Sequence, residues 1–289
     1  MPQPIEDHQK LFAERIASNP DIVAAELRLP GFRLHYRSVG APKDAVMVWI
    51  HGTPGGWGDI AQLMLDDAFL SRARLVSLDR PGWGASRFEP EARMAGTFDE
   101  HGALIEPLLQ QLRATFPGVP LIVAGHSWGA PMAVWLGASY PELVDGVLAL
   151  AGPYDPTIRI LRWYNYAARI PGIPTLIGRA LRNSNEEMFL LRDQITAAER
   201  LWHRLRVPLI VVHGADDSLV PSGHVDYARR VFPEATTRVL VLPDQGHLLQ
   251  FQRTELIGRC ALALATGRLD DCRESPLNVH QAFHREASD

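Results

Sequence analysis

Short apolar runs that alternate with longer helical segments constrain the fold of this chain more than any other feature of its sequence. A run that is apolar throughout is typical of a strand buried on both faces of a sheet. Six runs that are wholly or largely apolar occur, at residues 45–50, 74–78, 119–124, 146–151, 207–212 and 237–242. Residues 32–38 instead alternate in polarity, which favours a half-buried antiparallel strand. Buried strands that alternate with helices predict an α/β fold whose mostly parallel central sheet carries helices on both faces.

The helical segments carry start signals of their own. The stretch TFDE from Thr97 to Glu100 matches a capping box and predicts a helix that runs toward Phe116. Further helices are expected at residues 128–140, 222–232 and 253–265.

One segment interrupts this alternation of strands and helices. After residue 152 the next buried strand begins only at residue 207, and the interval contains several prolines, aromatic residues and a helical run near 185–204. We expect residues 153–205 to form a short helical cap, or lid, inserted into a core made of residues 1–152 and 206–289. Its apolar residues fit a pocket wall and ordinary core packing equally well: Trp163, Tyr164, Tyr166, Ile170, Ile173, Leu176 and Ile177.

The first part of this segment carries an excess of positive charge. Five arginines lie between Arg159 and Arg182, whereas Asp155 is the one acid near them. A solvated basic face is favoured over a site for an anionic substrate.

The composition argues against several classes of protein. A net charge of −4 over 289 residues favours binding neither to nucleic acid nor to an anionic membrane surface. No stretch approaches the ~18 continuous apolar residues of a membrane span, and residues 1–20 lack the apolar core of a signal peptide. The cytoplasm is the expected compartment, or the periplasm if a leader has been removed. Cys260 and Cys272 lack C-x-x-C spacing, and two free thiols are favoured over a disulfide between them.

The stretch LIVAGHSWGAPM, residues 121–132, places a serine between two glycines where a predicted strand ends. A G-x-S-x-G pattern between a strand and a helix is the setting of a nucleophile elbow, a sharp turn that holds the serine hydroxyl outward. The positive end of the following helix dipole favours negative charge that develops there. Ser127 is therefore the predicted nucleophile.

A serine hydroxyl needs a base, and the base needs an acid that orients it. His247 lies in the loop beyond the last predicted strand and is the candidate base. Asp216 and Asp217, after the strand at 207–212, compete for the role of the acid, and Asp155 is a more distant choice. Three other histidines are expected to be structural: His51, His126 and His213.

An oxyanion hole needs two backbone N–H groups. One is expected from Trp128, the residue after the nucleophile, and the other from the loop HGTPGGW at residues 51–57, where Thr53 is placed to donate. That loop has neither the P-loop nor the dinucleotide-binding glycine spacing, which excludes a phosphate loop. No metal or organic cofactor is required by this chemistry.

These motifs together resemble those of the α/β-hydrolase superfamily over roughly residues 30–265. They are IHGTPGG (50–56), DRPGWGAS (79–86), GHSWGA (125–130), HGADDSLVP (213–221) and QGH (245–247). The resemblance implies the α/β-hydrolase fold and a triad in the chain order Ser, Asp, His. In such families the acid stands three residues after the glycine of HGxxD, which selects Asp217 over Asp216. The residue after HG donates to the oxyanion, which supports Thr53.

Within the superfamily the loop is similar to that of bacterial hydrolases with an HG-[ST]-PG motif, and more distantly to that of proline iminopeptidases, which pair HGGPG with GGSWG. Thr53 and His126 depart from the iminopeptidase pattern, and Ser127 stands where epoxide hydrolases and haloalkane dehalogenases carry an aspartate. The predicted function is serine hydrolysis of a small ester. An aminopeptidase, a ligand receptor with little turnover and a cofactor-free peroxidase stay open as alternatives. A small molecule is the expected partner, and the sequence sets no oligomeric state.

Overall fold

One mixed sheet forms the centre of the protein, of which the computed structural model describes residues 14–16, 18–90, 93–233 and 236–274. Within that part the sheet has nine strands: β1 (Val23–Leu29), β2 (Phe32–Gly40), β3 (Ala45–Ile50), β4 (Ala73–Leu78), β5 (Arg87–Phe88), β6 (Leu121–His126), β7 (Gly146–Leu150), β8 (Leu209–Gly214) and β9 (Thr237–Leu242). Their order is β1-β2-β4-β3-β6-β7-β8-β9, and β5 pairs with β2. Every neighbouring pair from β4 to β9 in that order is parallel.

Helices connect most of these strands. They are α1 (Asp67–Leu70), α2 (Phe98–Thr115), α3 (Gly129–Ser139), α4 (Trp163–Ala167), α5 (Ile173–Leu176), α6 (Arg179–Trp202), α7 (Gly223–Val231), α8 (Leu249–Gln252) and α9 (Thr254–Ala265). Short 3-10 turns lie at Trp57–Ile60, Leu63–Leu65 and Leu269–Asp271. No helix in the described ranges is long and apolar enough to cross a membrane.

The strand β3 shows why the sheet is covered on both faces. All six of its residues are buried. Val46, Val48 and Ile50 pack into one apolar cluster together with residues of α2, α3 and α6. The residues between them, among them Met47 and Trp49, pack into a second cluster with residues of α9. Successive side chains of a strand point to opposite faces, so an unbroken apolar run produces two apolar layers. The predicted fold is confirmed.

The helix α2 begins as its sequence predicts, with one difference. The hydroxyl oxygen of Thr97 accepts a hydrogen bond from the backbone N–H of Glu100 at 3.1 Å. The Glu100 carboxylate accepts from the backbone N–H of Gly96 at 2.7 Å, one residue before the N-cap. A capping box would return this bond to Thr97 itself.

The strand β1 was not expected from the sequence. Its seven residues pair with β2 in an antiparallel ladder, in which Val23 lies opposite Ser38 and Leu29 opposite Phe32. None of its side chains is fully buried, but exposed and half-buried residues alternate along it, and Ala25, Leu27 and Leu29 pack against the core. Its signals are a short alternation in ELRL and a two-residue turn at Pro30 and Gly31, where Gly31 has a φ of 71° and after which β2 begins.

The expectation of two free thiols was wrong. Cys260 and Cys272 form a disulfide, with their Cα atoms 4.4 Å apart. Cys260 lies in α9, and the chain reverses after Gly267, which adopts a φ of 69°. The following 3-10 turn, Leu269–Asp271, carries Cys272 back against the helix. A separation of 12 residues is compatible with pairing only because of this reversal, which the spacing by itself does not reveal.

The segment 153–205 contains α4, α5 and α6, which divide into a buried and an exposed part. Residues along α6, such as Leu191 and Trp202, belong to the same apolar cluster as the inner face of α3. In α4 and α5, by contrast, Trp163 is 78% exposed and Leu176 is 80% exposed. Core packing accounts for the buried apolar side chains of α6, but not for its exposed Leu181 and Leu190 or for those of α4 and α5.

Candidate active site

A sharp turn between β6 and α3 holds Ser127 outward. Its φ is 54°, in the left-handed region that non-glycine residues rarely adopt. A Cβ at Gly125 would lie 2.0 Å from the carbonyl oxygen of Gly129, and a Cβ at Gly129 would lie 2.2 Å from that of Ile50 in β3. Both glycines of the G-x-S-x-G motif are therefore required by the close approach of backbone on either side of the serine.

Three side chains from separate loops meet at this turn. The Nε2 atom of His247 lies 3.0 Å from the hydroxyl oxygen of Ser127. The Nδ1 atom of the same ring lies 2.7 Å from Oδ2 of Asp217. An imidazole that donates through Nδ1 to a carboxylate leaves Nε2 free to accept a proton from a hydroxyl. The three residues singled out in the sequence thus form one continuous chain of hydrogen bonds.

The carboxylate of Asp217 is buried and held by its own loop. Its Oδ1 atom accepts from the backbone N–H groups of Leu219 at 2.9 Å and Val220 at 2.8 Å. Burial raises the pKa of Asp217, but its hydrogen bond and charge interaction with His247, together with the Val220 N–H, outweigh burial and lower the pKa below its ordinary value. Asp217 is therefore ionised at neutral pH, as an acid that orients an imidazole must be.

The competing carboxylates lie elsewhere. The side chain of Asp216 is exposed, and its backbone N–H donates to the carbonyl oxygen of Gln245. Asp155 accepts from the backbone N–H and the hydroxyl of Thr157, at 2.8 and 2.6 Å. Neither makes a recorded hydrogen bond to His247 within the described residues, whereas Asp217 does.

The histidine next to the nucleophile supports the base and not the serine. His126 Nε2 lies 2.8 Å from the backbone carbonyl oxygen of His247, and the two rings are 4.8 Å apart. Burial, and next the charge of His247, lower the pKa of His126 to about 3. A neutral His126 can donate through Nε2 and hold the loop that carries His247 in place.

The loop after β3 lies directly against the elbow. A Cβ at Gly52 would be 3.1 Å from the Cβ of Ser127. Neither the Thr53 nor the Trp128 backbone N–H has a recorded acceptor in the parts of the chain that the structure describes. The side-chain hydroxyl of Thr53 is likewise buried without a partner in those parts. The two N–H groups expected to bind an oxyanion thus belong to the loop and the turn that meet at Ser127.

Comparison with known proteins agrees with the fold. A sequence model of the family described as the alpha/beta hydrolase fold matches residues 45–173. The solved structure of an epoxide hydrolase from Vigna radiata superposes with a TM-score of 0.66 at 17% identity, covering 86% of this chain and 99% of that one.

The chain has the α/β-hydrolase fold, and its sequence is similar to that family over residues 45–173. It is 26% identical over 261 residues to the dihydrolipoyllysine-residue acetyltransferase component of the acetoin cleaving system of Pseudomonas putida, covering 81% of this chain and 66% of that protein. It is 27% identical over 276 residues to a 2-hydroxy-6-oxononadienedioate/2-hydroxy-6-oxononatrienedioate hydrolase of Paraburkholderia phymatum, covering 80% and 90%. The chain thus spans about two thirds of the length of the Pseudomonas putida protein.

A buried ion pair that the sequence did not reveal lies beside the site. The Arg80 side chain is fully buried and forms two hydrogen bonds with the buried Glu187 carboxylate, at 2.8 and 2.9 Å. The partners are 107 residues apart, and Glu187 lies in α6, inside the segment expected to be a cap. Arg80 belongs to the motif DRPGWGAS, and a charged residue two positions after a buried strand was the only local signal available.

Proposed function

We propose that this protein is a serine hydrolase that cleaves a small ester through an acyl-enzyme. The observation that carries the proposal is the chain of hydrogen bonds from Ser127 through His247 to Asp217, at 3.0 and 2.7 Å. Nucleophile, base and orienting acid within this reach are the signature of an activated serine.

The proposed reaction has two halves. His247 accepts the hydroxyl proton as Ser127 attacks the ester carbonyl carbon, and the Thr53 and Trp128 N–H groups bind the oxygen that becomes negative. The ester C–O bond then breaks, and His247 returns the proton to the departing alcohol. A water molecule, deprotonated by His247, attacks the acyl-enzyme and releases the acid, which regenerates the Ser127 hydroxyl.

An amine substrate with a free N-terminus is disfavoured by the carboxylates of the segment 153–205. The two adjacent carboxylates of this segment already form ion pairs, Glu187 with the buried Arg80 and Glu186 with Arg169. An ammonium group buried without a counterion costs several kcal/mol. Because about 1.4 kcal/mol is tenfold in rate, an aminopeptidase substrate would react orders of magnitude more slowly than an ester.

Epoxide opening, suggested by the name of a structural neighbour, is disfavoured by the nucleophile. Attack of Ser127 on an epoxide would form an ether, which has no carbonyl carbon for water to attack. Attack on an ester forms another ester, which water can hydrolyse with the same base.

We also propose that residues 153–205 act as a cap over the site. A hydrogen bond from the Arg162 guanidinium to the Ser218 carbonyl oxygen ties this segment to the loop of Asp217. The exposed side chains of Trp163, Tyr164 and Leu176 give the cap an apolar surface. Such a surface favours an uncharged acyl group over a charged one.

The proposal is tested with a chain-length panel of p-nitrophenyl esters and with proline p-nitroanilide, on wild type and on Ser127→Ala. We expect kcat/KM for p-nitrophenyl butyrate to exceed that for the proline substrate, and Ser127→Ala to lose turnover and labelling by a fluorophosphonate. Faster turnover of the proline substrate would support an aminopeptidase. Fluorophosphonate labelling of Ser127 with no turnover of any ester would support a ligand receptor.

The disulfide bears on the compartment. The cytoplasm keeps thiols reduced, whereas disulfides persist in oxidising compartments such as the periplasm. We propose that the bond between Cys260 and Cys272 forms in an oxidising compartment, contrary to the expectation from composition. Alkylation of intact cells of the source organism before lysis should leave both cysteines unmodified. Full alkylation of both cysteines would contradict this proposal and would support a cytoplasmic location.

A further inference from the structure

The buried guanidinium of Arg80 lies behind the loop that carries the proposed oxyanion donor Thr53. Arg80 has no exposed surface. Its Nη2 atom donates to the carbonyl oxygen of Gly52 at 2.9 Å, and its own backbone N–H donates to Nε2 of His51 at 3.0 Å. Both acceptors immediately precede Thr53, so Arg80 fixes the loop at two successive residues.

The contact with Gly52 has a direct consequence for Thr53. The carbonyl of Gly52 and the N–H of Thr53 belong to one planar peptide unit, in which they point in opposite directions. A charged donor on the carbonyl oxygen orients the unit and polarises it, since hydrogen bonds in a chain strengthen one another. The Thr53 N–H therefore becomes a better donor on the side away from Arg80.

The same guanidinium also contacts the second proposed donor residue. Its central carbon lies 3.9 Å from the centre of the Trp128 ring, within the range of a cation–π interaction. The ring of Trp128 is buried and further packed edge-on against Phe98. Arg80 thus touches the residues of both proposed oxyanion donors, Thr53 through its peptide unit and Trp128 through its side chain.

A buried guanidinium needs a counterion, because an unpaired buried charge is strongly unfavourable. Glu187 supplies it through two hydrogen bonds, and the indole N–H of Trp83 donates to the same carboxylate at 2.8 Å. Glu187 lies in α6, so the ion pair joins this helix to the loop after β3.

We propose that Arg80 is a positioning residue of the oxyanion hole, which orients and polarises the Gly52–Thr53 peptide, and that Glu187 holds it there from α6. This role rests on the proposed serine hydrolase function. Oxyanion contacts strengthen as the tetrahedral intermediate forms, so Arg80 acts on the transition state more than on substrate binding. An ion pair that only stabilises the fold would lack this selectivity.

The decisive variant is the double substitution Arg80→Met/Glu187→Leu. It removes both charges together, which in other proteins is often neutral or stabilising, whereas loss of one partner strands a buried charge. The single variant Arg80→Lys keeps the charge but not the planar fork that reaches Gly52 and Glu187 together. The matched control is Arg169→Met/Glu186→Leu, which removes the exposed ion pair one residue earlier on the same helix.

Each variant is measured for kcat and KM with p-nitrophenyl butyrate, for melting temperature, and for inhibition by a trifluoromethyl ketone, which forms a tetrahedral adduct with a reactive serine. We expect Arg80→Met/Glu187→Leu to lower kcat about 10–100-fold, less than the ~10²–10³-fold loss of a whole oxyanion donor. The inhibitor should bind more weakly by a similar factor while KM stays within about threefold. Arg80→Lys should fall between this variant and wild type.

The control should stay within about twofold of wild type, as expected for an exposed pair. A folded Arg80→Met/Glu187→Leu variant with unchanged kcat and unchanged inhibitor affinity would overturn the positioning role while leaving the hydrolase intact. Equal weakening of KM and inhibitor affinity would also overturn it, because the pair would then serve binding in general. Wild-type turnover that survives in Ser127→Ala would overturn the proposed function, and with it this inference.

Discussion

The loops at the carboxyl ends of the strands and the segment 153–205 contribute to the proposed site in contrasting ways. The loops are fixed by close backbone approaches, such as that of Gly129 to Ile50, which leave no room for another side chain. The segment instead presents exposed apolar side chains, such as those of Trp163 and Leu176. If the proposed function holds, we expect the loops to determine the reaction and the segment to determine which substrate reacts.

The helix α6 belongs to both regions and shows where they meet. Its buried side packs against α3 and carries Glu187, the partner of Arg80. The adjacent residue, Glu186, is exposed and pairs with Arg169. Adjacent residues of one helix therefore hold a buried contact beside the proposed site and an exposed contact on its outer face.

The largest expected effect lies within the loops, at Asp217. Loss of the orienting acid leaves the imidazole in the wrong tautomer and lowers kcat about 10⁴-fold in a serine protease. We expect Asp217→Asn to approach this loss, measured as kcat with p-nitrophenyl butyrate. Asp216→Asn is the matched control and should cost far less, since Asp216 is exposed. Equal losses, or the reverse order, would refute the choice of Asp217.

A substitution at Gly129 tests whether the elbow is as intolerant as its geometry indicates. The new methyl group of Gly129→Ala would meet the carbonyl oxygens of Ile50 and His51 at 2.2 and 2.8 Å. Overpacking of this kind costs typically about 1–3 kcal/mol, and a shift of about 1 Å at a reacting group costs about 10²-fold in rate.

The control for this experiment is Gly58→Ala, in the 3-10 turn Trp57–Ile60 after β3, where an added Cβ has no neighbour within 4 Å. Urea unfolding and kcat should both be close to wild type for Gly58→Ala and clearly reduced for Gly129→Ala. If the two variants behave alike, close backbone approach does not govern the elbow.

The smallest effect is expected at the outer side of the segment 153–205. Trp163→Ala removes a ring that is 78% exposed and should change the free energy of unfolding by at most about 0.5 kcal/mol. Trp202→Ala, in the same segment, removes a fully buried ring and should cost about 3–5 kcal/mol. Trp163→Ala should alter KM across the ester panel without lowering the melting temperature. A large loss of stability would show that α4 is part of the core.

Much of the fold was predictable because its signals are local. The run AVMVWI becomes β3 with every residue buried, and the pattern GHSWG becomes a turn with Ser127 at a φ of 54°. The three side chains predicted for the triad are brought within hydrogen-bond distance. Their catalytic roles stay predictions until the variants are measured.

The sequence by itself therefore determined the sheet, the elbow and the residue types that meet there, since apolar periodicity and glycine spacing act between near neighbours in the chain. Only the tertiary structure decided the disulfide of Cys260 and Cys272 and the ion pair of Arg80 with Glu187. The tertiary structure also decided which tryptophan of the segment 153–205 is exposed, Trp163, and which is buried in the core, Trp202. Each of these depends on how distant parts of the chain approach one another, and no spacing within a short stretch records that approach.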